Sequence, residues 1–345
     1  MAAFISFQPS DFFNLLTYAG NTSTNAITGV GFQPDFVWNK STTDVLYHYA
    51  FDTARGATEA IFPNGTDTEA IGANYLTAFD SDGFTLGDNT SLNGSGKDFI
   101  SWNWKAGTTS GIATNGSTTI TPSAYSFSQT SGFSALAYTG NATSGAKLAH
   151  GLGKTPTMVF IKNLATANDW ACFQHHVKAT SPEDWVMQTN TATATSDNAG
   201  FWNDTAPDAV NITLGNDNGV NGSYAYIAYC FAPIQGHSVF GRYYGNGNAN
   251  GPFIQTNFRP KFVVMKRLDG TTGWLMVSNP PSSVNLESND ELLYLNSTAI
   301  EATIANVRID FLSNGFKIRG SSAINNTNGS QNVYWAFAEF PFVSS

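Results

Sequence analysis

Residues 31–40 read GFQPDFVWNK, residues 153–162 read GKTPTMVFIK and residues 257–266 read NFRPKFVVMK. Each stretch places a proline six residues before a lysine, with a hydrophobic run between them. Pro34, Pro156 and Pro260 suit a turn or the first residue of a strand, where the missing N–H costs least. The run that follows is rich in β-branched and aromatic residues, which favour a strand. With a period of two, Phe36, Trp38 and Lys40 share one face, as do Met158, Phe160, Lys162 and Phe262, Val264, Lys266. A cassette that occurs three times marks a repeat protein.

Working outward, each cassette sits in a similar frame. Tyr18-Ala-Gly-Asn21, Tyr138-Thr-Gly-Asn141 and Tyr243-Tyr-Gly-Asn246 precede it. Short strands and Asn-Gly-Ser turns follow, at Asn93, Asn221 and Asn328, and FISWNWKA, YAYIAYCFA and NVYWAFAEF close the units. This predicts an all-β chain of three tandem β-sandwich units, jelly-roll- or lectin-like, with little helix. The expected division is an aromatic N-terminal arm at 1–16, a first unit at 17–107, a linker or extended edge at 108–124, a second unit at 125–234 and a third at 235–345. Short helical turns are expected near 181–184 and 288–293. In the closing strands Ile100, Trp102, Trp104 align with Ile227, Tyr229, Phe231 and with Val333, Trp335, Phe337. That bulky face is expected to fill each sandwich, and the small opposite face to admit another layer.

The composition narrows the function classes. Of 345 residues only 12% are charged, and the net charge is −9. Such a chain has no Lys/Arg excess to neutralise phosphates, which argues against nucleic-acid binding. No apolar run reaches the length of a membrane span, and MAAFISFQPSDFF lacks the basic start and long apolar core of a cleavable leader. Cys172 and Cys230 are too few for a disulfide scaffold; Cys230 reads as a small core residue, and a bridge between the two stays open.

Chemistry is hard to find. There is no G-x-S-x-G, and His48, His150, His175, His176 and His237 are not placed equivalently in the three units. The reading is therefore of no catalytic residue, no cofactor and no metal ligand, with the chain not an enzyme. Asp80, Asp82 and Asp88 near one turn, and Asp217 near its counterpart, are where a structural calcium ion would sit. Capped, hydrogen-bonded turns are the main reading of these aspartates, with the ion as the alternative. Lys40, Lys162 and Lys266 read as framework lysines whose stems cover aromatic rings, with contact to an acidic glycan as the other reading. Trp38, Tyr47, Trp170 and Trp274 are candidates for stacking on a sugar or, alternatively, for core packing. Phe4, Phe7, Phe12 and Phe13 mark the arm as a docking element.

The motifs FQPSDFFN at 7–14, TGVGFQPDFVWNK at 28–40, FDTARGAT at 51–58, FDSDGFTLG at 79–87 and HGLGKTPTMVFIKN at 150–163 resemble uncharacterised repeat domains in structural and tail-fibre-like proteins of marine tailed phages. GFSALAYTGNATSG, the long run from Gly219 through GRYYGNG, IDFLSNGFKIRG and YWAFAEFPF extend the likeness over nearly the whole chain. It departs after the first cassette, where Asn39-Lys40-Ser41-Thr42 stands in place of an apolar residue followed by Lys-Asn-Arg. The resemblance implies a protein on the exposed surface of a phage particle, with other virion proteins as partners and a homo-oligomer, trimeric in most such appendages. Three functions follow as expectations. The first is a non-enzymatic tail fibre or spike component contacting a host glycan or surface protein. The second is a structural capsid- or tail-decorating protein, and the third a surface-polysaccharide depolymerase.

Overall fold

The computed structural model describes residues 7–279, Asn285 and residues 291–341. The chain is all-β, built from several antiparallel sheets, as an all-β sandwich protein requires. Three large sheets carry the cassettes. In the first, Phe36–Ser41 lies between the closing strand Asp98–Trp104 and Tyr49–Asp52, with Phe13–Ala19 outside the closing strand. In the second, Met158–Asn163 lies between Ala225–Phe231 and Ala171–Gln174, and in the third Phe258–Arg267 lies between Gln331–Pro341 and Leu275–Ser278. The cassette lysines fall in one register: Lys40 faces Ile100, Lys162 faces Ile227 and Lys266 faces Val333.

A small sheet covers one face of each large sheet. Its members are Asn25–Thr28, Leu76–Asp80 and Gly83–Leu86 in the first unit, and Ala146–Ala149 with Asn211–Leu214 in the second. In the third they are Phe253–Gln255, Ile309–Leu312 and Gly315–Ile318. Residues from the facing layers form a separate core in each unit, such as Val37, Phe51 and Phe84 in the first, or Leu148, Tyr226 and Cys230 in the second.

The bulky faces of the closing strands go elsewhere. Trp102, Trp104, Tyr229, Phe231, Trp335 and Phe337 belong to one core cluster, together with the cassette residues Phe36, Trp38, Phe160, Phe262 and Val264. The expectation that this face fills its own sandwich is corrected. It fills a fourth core shared by all three units, and the small face packs inside the sandwich. The units therefore pack side by side around a common apolar interior instead of standing as separate beads. Both faces of each closing strand are buried, and every large side chain placed in the shared core contributes roughly 1.5–3 kcal/mol.

The opening arm is drawn into the same interior. Phe13 is fully buried, 4.8 Å from the Phe337 ring and 5.0 Å from Trp104. Phe7 and Phe12 pack edge-on to each other at 4.9 Å, and Phe7 contacts His237 of the third unit. Phe13 is thus a strand residue of the shared core and is not available to dock a partner; Phe4 lies outside the described residues. The stretch 108–124 pairs along the second unit, with Thr108 bridged to Phe127 and Ile120 to Leu148. A short 3-10 turn forms at Pro182–Asp184. Of the other expected helical turn, 288–290 lie outside the described residues, and Glu291–Tyr294 is a strand. Cys172 lies in the shared core and Cys230 in the core of its own sandwich, so the two buried thiols sit on opposite faces of one sheet and are free.

Candidate functional site

The three units are locked to one another by contacts that repeat in a ring. The residue before the strand that follows each cassette strand is His48, Trp170 or Trp274. Each bonds a backbone carbonyl of a neighbouring unit: His48 Nε2 to Tyr294, Trp170 Nε1 to Phe62 and Trp274 Nε1 to Gln188, at 3.1, 2.9 and 3.1 Å. The residue two positions after each carbonyl is an asparagine. Asn64, Asn190 and Asn296 accept the backbone N–H of His48, Trp170 and Trp274, each at 2.9 Å. Five residues further on, Glu69, Thr195 and Glu301 donate their backbone N–H to Leu164, Leu268 and Thr42 of the next unit. The loop of the first unit thus grips the second, that of the second grips the third, and that of the third grips the first.

The cassette lysines serve this ring. Lys40, Lys162 and Lys266 are at most 2% exposed. Lys162 donates to Thr66 of the neighbouring unit at 2.9 Å and to Asn168 at 2.6 Å; Lys266 donates to Ala192 of its neighbour at 3.0 Å and to Thr272 at 2.6 Å. Lys40 keeps its bonds at home, on Ser41 and Asp44. Burial lowers each ammonium from its usual range to about 8. Trp38, Trp170 and Trp274 are buried as well, which removes them as exposed sugar platforms. His48 stands where the other units have tryptophan. Its Nδ1 accepts from Trp38 Nε1 at 2.9 Å, which assigns the proton to Nε2. Burial, with Lys40 nearby, holds it neutral, down to about 3.

Where the three asparagine-led loops meet they surround an open bowl of about 570 Å3. Its wall is Asn64, Gly65, Thr66 and Asp67 from one loop, Asn190 and Thr191 from the next, and Asn296, Ser297 and Thr298 from the third. Tyr47 and Asp169 complete it; they occupy equivalent places, immediately before His48 and Trp170. Tyr47 is 44% exposed, its ring resting edge-on against Phe62. Asp169 accepts from Asn190 Nδ2 at 2.7 Å. Pro63, Thr189 and Leu295, each one residue before a loop asparagine, line a second space of about 20 Å3 whose other walls are core aromatics and Met158. The void could just admit one water, but its apolar lining offers too few polar partners to hold it, so it stays dry.

Among the candidates read from sequence, only Tyr47 reaches this bowl with its ring exposed. The loops themselves escaped notice, because Asn64-Gly-Thr66 looks like chance in a chain rich in Asn and Thr. Repeat alignment from the lysines would find them only with gaps, since the asparagine follows the lysine by 24, 28 and 30 residues. A second set of asparagines also repeats. Asn93, Asn221 and Asn326 accept the backbone N–H of Asn21, Asn141 and Asn246 and donate to Gly87, Gly215 and Gly320. The third member is thus Asn326, not Asn328 of the Asn-Gly-Ser turn.

Other expected sites have structural occupations. Asp82 accepts the backbone N–H of Gly29 and Gly31, Asp80 accepts from Thr85 and Asp217 accepts from Gly219. Among the described residues no group of three or more His, Cys, Asp or Glu side chains is placed to hold a metal ion. No described helix is long and apolar enough to cross a membrane. Asp52 and Arg55 form a buried pair at 2.6 Å, extended by Glu69 and by the Tyr229 hydroxyl of the second unit.

Residues 8–341 match the family model described as a domain of unknown function, DUF7483. The chain belongs to the DUF7483 family. No curated protein and no solved structure matches it. The DUF7483 match runs through all three units, so the ring of interlocking loops lies wholly within the family's span.

Proposed function

We propose that this DUF7483 chain is a non-enzymatic component of a phage virion appendage, a tail fibre or spike, and that it contributes to contact with the host surface. The observation that carries the reading is the interlocked ring: three sandwiches joined around one core hold a polar, open bowl of loops on a stiff frame. Loops on a rigid β scaffold are where recognition is usually placed. The likeness of the cassettes and closing strands to tail-fibre-like repeat domains supports the location on an exposed part of the particle. A non-catalytic role is supported by the histidines. His48, His150 and His237 are buried, and His48 and His150 are hydrogen-bonded to backbone carbonyls, which leaves them poorly placed as bases. Other virion proteins are the proposed partners. Three sandwiches in one chain already give the body that three chains would otherwise assemble, so analytical ultracentrifugation decides whether a trimer of chains forms on top of it.

The test is location. Gold-labelled antibody against the purified chain should decorate intact particles at the free end of an appendage, and the purified protein should compete with particles for adsorption to host cells. Label spread over the shell with no competition would instead support a decorating protein. Shortening of host polysaccharide by the purified protein would overturn the non-enzymatic reading.

A further inference from the structure

We infer that the bowl between the three asparagine-led loops is a binding site for a neutral saccharide, an inference that rests on the host-contact reading and names its ligand. The size is that of a small-ligand site, since such pockets span roughly 300–1,000 Å3, and the bowl holds about 570 Å3. Its lining is what a polyhydroxylated ligand needs: amides and hydroxyls of Asn64, Thr66, Thr191 and Ser297, two carboxylates, and one half-exposed aromatic ring. A carboxylate accepts hydrogen bonds from sugar hydroxyls, and an aromatic face packs on the C–H face of the ring.

The charges select against an acidic sugar. Asp67 and Asp169 line the bowl and no lysine or arginine does. The nearby cation, Lys162, is buried and spends its donors on Thr66 and Asn168. Because the Thr66 carbonyl turns toward that ammonium, the trans peptide turns the Asp67 N–H the other way, away from the buried lysine. The ammonium's charge is felt at Asp67 and Asp169, but two carboxylates against one buried lysine leave the bowl net acidic.

Symmetry supplies a further argument. The residues that build the ring repeat in all three units: Asn64, Asn190 and Asn296, and Lys40, Lys162 and Lys266. The positions that face the bowl do not. Tyr47 and Asp169 line the bowl while their equivalent Gly273 does not, and Asp67 lines it while its equivalents Thr193 and Ala299 do not. At Gly273 a Cβ would come within 2.5 Å of the Tyr294 ring, so Tyr294 packs against this position and the third unit contributes no side chain to the bowl from it. A threefold-symmetric partner would need three equal contacts; this bowl offers a ring, a carboxylate and, at the third equivalent position, no side chain, which suits one asymmetric ligand. Gly65 tightens the arrangement, since its missing Cβ lets the Asp67 carboxylate and the Tyr47 ring approach one another.

The experiment titrates the full chain with neutral oligosaccharides of hexose and N-acetylhexosamine and with matched sialylated and uronic-acid oligosaccharides, read by saturation-transfer NMR and calorimetry. At least one neutral oligosaccharide should bind, and Tyr47→Ala and Asp169→Asn should each weaken it by roughly tenfold, the scale of a residue central to an interface. Asp67→Asn, at an exposed residue, guards against loss of fold, and Ile71→Ser, at an exposed residue outside the bowl, should change nothing. Binding only of acidic oligosaccharides, binding indifferent to all three bowl variants, or no binding would each overturn the inference. Particle labelling without saccharide binding defeats this inference alone. Saccharide binding by a chain absent from particles defeats the virion reading alone.

Discussion

Trp170 donates its indole N–H to the Phe62 carbonyl at 2.9 Å, and the two residues belong to different sandwiches. The same bond, moved round the molecule, joins Trp274 to Gln188 and His48 to Tyr294. An interface between units that buries a polar carbonyl against tryptophan is stable only if the carbonyl finds its donor. The ring of three therefore does two tasks together: it fills the shared core with aromatic volume and satisfies the carbonyls at its rim.

Replacing the indole with a smaller aromatic ring that has no donor tests both tasks together. Trp170→Phe and Trp274→Phe should each destabilise the chain by about 2–4 kcal/mol, combining lost packing volume with an unsatisfied buried carbonyl. Urea unfolding followed by fluorescence should still show one transition, because the units share a core. A split into separate transitions would mean that the sandwiches fold independently.

The three buried lysines give a pH signature. Each has its folded value lowered to about 8 from an unfolded value near 10.5. Between those values the unfolded chain holds more protons than the folded one, so the lysines' contribution to stability rises with pH from about 8 to 10, opposed above about 9 by the Cys172 and Cys230 thiols, which burial pushes up. The slope contributed by each lysine is at most about 1.4 kcal/mol per pH unit. Buried tyrosines such as Tyr226 and Tyr334, raised to about 12, reverse the trend above pH 10. Lys162→Met should flatten the rise by about one third, measured as urea midpoint against pH.

His48 and His237 act at the acid end. Both are held neutral down to about 3, whereas an unfolded histidine takes up its proton near 6.5. Their contribution is complete above the unfolded value and is lost as pH falls from 6.5 toward 3. The double change Trp38→Val with His48→Trp copies the third unit, where Val264 and Trp274 occupy these positions. It should fold and should reduce the loss of stability between pH 6 and 4. His48→Trp alone should overpack against Trp38 and cost roughly 1–3 kcal/mol.

Asp52 and Arg55 test the junction between the first two units. Asp52→Ala strands a buried guanidinium that keeps Glu69 and a long bond to the Ala50 carbonyl, and should cost roughly 3–5 kcal/mol. Tyr229→Phe removes one neutral donor from a carboxylate that retains Arg55, and should cost about 1–3 kcal/mol. Equal losses for the two variants, by chemical denaturation, would contradict this ranking.

Much of the architecture is legible in residues alone, because a strand announces itself through local chemistry. Proline before an alternating apolar run, and Asn-Gly or Asp-Gly between runs, are short-range signals, and their threefold recurrence gave the units. The cassette lysines were legible as a set for the same reason. The site was not. Tyr47 stands out only as an aromatic in a polar context, and the asparagines that frame the bowl vary in distance from the lysines, so no fixed spacing exposes them.

By itself the sequence determined an all-β chain, three cassettes and the face on which each lysine and aromatic lies, since side-chain alternation is a property of the backbone. Only the tertiary structure decided what each face meets. A closing strand such as Asp98–Trp104 is buried on both sides, and burial alone does not say whether the neighbour is its own second sheet or another unit. The small face was left to the sandwich and the tryptophan face to the shared core, because three bulky faces brought together exclude water from all of them at once. That choice placed the loops of 62–69, 188–195 and 294–301 at one end of the molecule and made a single bowl from three distant segments.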